Sequence, residues 1–115
     1  MEFKHTPIML NEVIDNLMIK PDGIYVDGTM GGAGHSEQIV KRLSDKGLLI
    51  GIDRDQDALK ASHNRLEQYE NVRYIWGKHE DIKDILEGMN ISNVDGILLD
   101  LRIIFLSNRW SWERI

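Results

Sequence analysis

At 115 residues with an ordinary apolar share of 42%, the chain fits one small domain with a real core. The absence of cysteine excludes disulfides, thiolate metal sites and a cysteine nucleophile. A formal charge of −5, with acids and bases interspersed, is not the footprint of an autonomous nucleic-acid binder, and no apolar run approaches the ~20 residues that cross a membrane.

The polar start Met1-Glu2-Phe3-Lys4-His5 has no apolar core of signal-peptide type, so a soluble cytoplasmic protein is expected. Thr6-Pro7 predicts a helix start, with the threonine as cap and the proline in the first turn. Met9, Val13, Ile14 and Leu17 then recur at helical spacing. Lys20-Pro21-Asp22-Gly23 is a turn, and a first strand is predicted from Gly23 to Asp27. A helix from His35 to Leu43 follows, ended by Lys46-Gly47, and then a second strand from Leu48 to Asp53. Asp55 is placed to cap a helix from Gln56 to about Leu66, with Ala58, Leu59, Ser62 and Leu66 facing inward. Val72 to Trp76 is a third strand, in which Trp76 is expected to pack in the core. Asp81 to Met89 is a helix with Ile82, Ile85, Leu86 and Met89 on one stripe. Val94 to Leu101 is a fourth strand, apolar on both faces as a buried parallel strand should be. Strands alternating with helices predict an α/β fold with an open, Rossmann-like parallel sheet.

The chemistry is concentrated in Val26-Asp27-Gly28-Thr29-Met30-Gly31-Gly32-Ala33-Gly34-His35-Ser36 and in the acid that ends strand two, Asp53. Glycines between a strand and a helix let backbone approach a ligand closely, and an acid about 20 residues on can grip ribose hydroxyls. The glycines spell G-G-x-G, not the G-x-G-x-x-G of dinucleotide enzymes, which argues against an NAD-dependent oxidoreductase. A looser turn suits a cofactor without phosphates, such as S-adenosyl-L-methionine. Asp27 could then pair with its amino group. The bland alternative is that the glycines only make a tight turn. Asp100 ends strand four, where ligands of such sheets sit, and could accept from a cofactor amine or from an amine being alkylated. Its alternative is a solvated strand-end acid. His35 either touches the cofactor or merely opens a helix. His79 follows strand three and could stack on an adenine. No metal-ligand spacing is present.

Taken together, His5-Thr6-Pro7-Ile8-Met9-Leu10-Asn11-Glu12, the segment Pro21 to Ser36, Ile50-Gly51-Ile52-Asp53-Arg54-Asp55 and Asp95-Gly96-Ile97-Leu98-Leu99-Asp100-Leu101 resemble the bacterial 16S ribosomal RNA (cytidine-N4)-methyltransferases. The resemblance runs from about Lys4 to Leu101. It implies a class I, S-adenosylmethionine-dependent fold and methyl transfer to the exocyclic amine of a cytidine in the small ribosomal subunit. By position it puts cofactor contacts at Ala33, Gly34, His35, Asp53, His79 and Asp100. Where His79 stands, the family mostly has phenylalanine.

After Leu101 the pattern is lost. The family continues Gly, an aliphatic residue and Ser-Ser, whereas this chain reads Arg102-Ile103-Ile104-Phe105-Leu106 and onward to Ile115. The genetic code permits codons for this tail that, read one base later, spell Gly-Leu-Ser-Ser-Tyr-Gln-Ile-Asp-Gly-Ala-Gly-Lys, close to the missing motif. Residues 1–101 are therefore expected to be the cofactor-binding half of a methyltransferase, and 102–115 an out-of-frame tail; a divergent natural tail is the alternative. Such a truncated chain is expected to show weak catalysis or none, and the third possibility is a remnant with no activity. Its fourth strand, unless the tail covers it, would be an open apolar edge inviting self-association.

Overall fold

The computed structural model describes residues 12–110 apart from 13, 16, 29, 32, 100 and 101, with the backbone alone for 102–110. The strands are β1 (Ile24–Asp27), β2 (Leu48–Asp53), β3 (Val72–Trp76), β4 (Val94–Leu99) and β5 (Arg102–Trp110). The helices are α1 (Gly34–Val40), α2 (Gln56–Arg65) and α3 (Ile82–Gly88), the last preceded by a 3-10 turn at His79–Asp81. Most of the predicted N-terminal helix lies outside the described residues, as do His5 and Thr6-Pro7. Glu12, Ile14, Asp15 and Leu17 are helical, with Ile14 and Leu17 buried.

The sheet order is β3-β2-β1-β4-β5. β1 to β4 run parallel, with β1 between β2 and β4. Alternation along each strand sorts the core into two layers. Tyr25, Leu49, Val72 and Leu98 pack with Ile14, Leu17, Ile39, Val40 and Leu66 on one face. Val26, Ile50, Ile52 and Ile97 pack with Ile82 and Leu86 on the other. Each fully buried large aliphatic is worth about 1.5–3 kcal/mol relative to exposure, so these two layers hold the sheet.

β2 and β3 have the bounds expected of them. α1 stops at Val40, short of the predicted Leu43, because the amides of Arg42 and Leu43 turn back onto the carbonyls of Ile39 and Val40. The cap assigned to Asp55 is present: its side chain accepts from the Asp57 amide at 2.9 Å.

One expectation is corrected. Trp76 is not in the core but 65% exposed, at the last position of β3, where the strand leaves the sheet. For the fourth strand, the case in which the tail covers it is the one observed. β5 pairs with β4 in antiparallel register, Gly96 opposite Leu106 and Ile97 opposite Phe105. Only Asp100 and Leu101 separate the two strands, and a parallel partner would need a crossover of roughly a dozen residues or more. The described sheet is therefore mixed.

At the amino-terminal rim the chain is locked to itself. Asp95, 6% exposed, accepts from the Ile24 amide at 2.9 Å and lies 3.7 Å from the Lys20 ammonium. The Tyr25 hydroxyl accepts from the Lys20 amide at 2.8 Å. Among the described residues, no helix is long and apolar enough to cross a membrane.

Candidate functional site

The glycine turn leaves β1 at Asp27 and folds back over the carboxyl ends of its neighbours. The Gly28 amide donates to the Leu98 carbonyl at 2.8 Å, and the Met30 amide to the Ile52 carbonyl at 3.1 Å. Gly28 and Gly51 lack side chains for a packing reason. A Cβ on Gly28 would strike the Leu99 side chain, and one on Gly51 the buried Met30 thioether. Gly31 has φ 39° and Ala33 has φ 75°, so the turn passes through the left-handed region on its way into α1. A Cβ on Gly34 would meet nothing within 4 Å, which leaves that side of the turn open.

Asp27 and Asp53 stand on adjacent parallel strands and on the same sheet face. Asp27 is paired in register with Gly51, two residues before Asp53. Asp27 is buried and accepts from the Ser36 hydroxyl of α1 at 2.8 Å. Asp53 is half-buried, and both of its oxygens are engaged. Oδ2 accepts from the Gly31 amide at 2.9 Å and Oδ1 from the Asp55 amide at 2.9 Å. The same carboxylate thus ends β2, starts the turn into α2 and holds the glycine turn.

His35 is the second residue of α1, directly after the glycine turn. Its Nε2 is buried without a hydrogen-bond partner, and burial holds its imidazole below the usual value of 6.5. His79 begins the 3-10 turn, with its Cβ 3.4 Å from where a Gly28 side chain would start and its Nε2 3.8 Å from Glu80. Of the predicted residues, Asp27, Gly31, Ala33, Gly34, His35, Asp53 and His79 therefore belong to one rim of the sheet. Asp100 lies outside the described residues. Sequence reasoning passed over Ser36 as the partner of Asp27 and Met30 as the filler above Gly51. A glycine inside an apolar strand was the available signal for the second, since it marks a close approach.

A cleft of about 500 Å³ opens at the opposite rim, between Val40, Leu43, Leu48, Tyr69 and Asn71. It contains none of the residues above. Among the described residues, no group of three or more His, Asp or Glu side chains is placed to hold a metal ion.

A sequence model of the MraW methylase family matches residues 2–109. The chain belongs to this family. Members similar to it include ribosomal RNA small subunit methyltransferase H 2 of Agathobacter rectalis, 55% identical over 90% of this chain and 33% of that protein. Ribosomal RNA small subunit methyltransferase H of Clostridioides difficile is 53% identical over the same shares. The chain spans about a third of the length of these relatives. Among solved structures, a SAM-dependent O-methyltransferase of Thermotoga maritima superposes with TM-score 0.66 at 18% identity, covering 81% of this chain and 34% of that one. A protein of Streptococcus mutans solved in complex with SAH gives 0.64 at 18% identity, over 86% and 52%. These establish a Rossmann-like fold of the class I methyltransferase type. Family membership leaves the nicotinamide alternative without support.

Proposed function

We propose that residues 1–101 are the cofactor-binding half of an S-adenosylmethionine-dependent methyltransferase. In full-length form it would act on the exocyclic N4 amine of a cytidine in 16S ribosomal RNA, in the cytoplasm. The observation that carries the cofactor is the Asp53 carboxylate fixed by two backbone amides beside the glycine turn. A carboxylate has about four acceptor positions, so two remain for ribose hydroxyls.

The rest of the rim fits the same group. The buried Nε2 of His35 lacks a partner that a polar ligand would supply, and the space beside Gly34 admits one. Backbone at Gly31, Ala33 and Gly34 would make the close approach. Asp27, buried beneath the turn, supplies negative charge that favours an ammonium. The His79 imidazole would stack on the adenine in place of the family's phenylalanine. Asp100 is assigned to a cofactor amine or to the amine being alkylated, where it would orient the nucleophile and take up a proton. When bound, the cofactor supplies an electrophilic methyl group.

The tail, residues 102–115, is proposed to be out of frame; a coding DNA whose shifted frame lacks Gly-x-Ser-Ser-x-Gln would reject that. Calorimetry with S-adenosylmethionine and with NAD tests the cofactor. Binding of the first alone is expected. Absence of S-adenosylmethionine binding overturns the reading.

A further inference from the structure

We propose that Trp76 is a positioning residue for Asp53, acting through the Arg54–Asp55 peptide. The inference rests on the reading of Asp53 as the ribose-binding acid. Trp76 ends β3 directly beside Asp53 in the parallel register. At 65% exposure it gives the core little, yet its indole is held: Nε1–H donates to the Arg54 carbonyl at 3.0 Å.

That carbonyl and the Asp55 amide belong to one planar peptide unit. Its C=O end is held by Trp76, and its N–H end donates to Asp53 Oδ1 at 2.9 Å. The preceding peptide is pinned by the sheet itself, where the Gly77 amide donates to the Asp53 carbonyl at 3.0 Å. The regular ladder stops there. The indole extends it by one peptide, into the segment that sets the carboxylate's orientation. The other oxygen, Oδ2, is then directed at the Gly31 amide. Without the indole donor, the Arg54–Asp55 plane is free to rotate, and the carboxylate loses one of its two fixed partners.

Trp76→Phe removes the donor and keeps an exposed aromatic ring. The expected result is a roughly three- to tenfold loss of affinity for S-adenosylhomocysteine by calorimetry, the scale of one hydrogen bond. No such loss is expected for the 2′,3′-dideoxy analogue, which has no hydroxyls for Asp53 to hold. Amide hydrogen exchange supplies a second measurement: faster exchange at Asp55 and Gly31, unchanged exchange at Tyr25 in β1. Equal losses for both ligands, or unchanged exchange at Asp55 and Gly31, overturn the proposal. If the unsubstituted chain binds neither ligand, the cofactor reading fails by itself. The exchange data then decide the role of Trp76: a rise upholds it and no change rejects it.

Discussion

The Asp53 carboxylate reaches from the end of β2 to the Gly31 amide, 22 residues earlier in the chain, at 2.9 Å. One side chain thereby couples the glycine turn to the second strand. Replacing it by alanine should lower S-adenosylmethionine affinity by at least about tenfold, since charge-assisted bonds are worth about 1.5–3 kcal/mol each. Asp53→Asn retains an acceptor for one amide and should lose less. Equal affinity in the alanine variant, measured by calorimetry, would sink the assignment.

Met30 occupies the space above Gly51, so the two positions should be energetically coupled. Gly51→Ala forces a methyl group against a buried thioether and should destabilise by about 1–3 kcal/mol. Adding Met30→Ala should recover part of that loss, so that the double variant is more stable than the sum of the singles predicts. Urea denaturation of the four proteins gives the coupling directly, and strict additivity would contradict the packing.

Burial keeps the His35 imidazole neutral to lower pH than in the unfolded chain. Between the usual value of 6.5 and its lowered value, the unfolded state therefore holds more protons than the folded one. Stability should fall as pH drops through that window and level off below it. His35→Gln should flatten this limb. Parallel pH profiles for the two proteins would show that His35 is not the group responsible.

Removal of residues 102–115 strips the antiparallel partner from β4. The exposed Ile97-Leu98-Leu99 backbone should then recruit a second copy. Size-exclusion chromatography over a concentration series should show self-association of the shortened chain beyond that of the complete one. Identical elution of the two would mean that β5 does not protect the edge.

The parts of the fold that could be read from the residues are those governed by local pattern. β2 is an apolar run and β3 is rich in β-branched and aromatic residues, each bounded by turn residues, and Asp55 is an N-cap followed by a helical stripe. The misplaced parts depend on contacts between distant segments. Trp76 has the composition of a core residue, but its position at the last rung of β3 puts it in solvent. β5 was invisible because its pairing is set by β4 and by a connection of two residues, not by its own periodicity. Asp27 and Asp53 were legible as strand-end acids, whereas their partners Ser36 and Gly31 emerged only with the sheet assembled.

Asp95 gives the contrast that makes the opposite rim intelligible. It is nearly as buried as Asp27, yet an amide and an ammonium of its own chain hold it at the amino ends of the strands. Substitutions there should shift the melting temperature and leave ligand titrations alone. The two ends of the sheet thus differ: where the strands enter, the chain clasps itself, and where they exit lie the residues proposed to meet the cofactor.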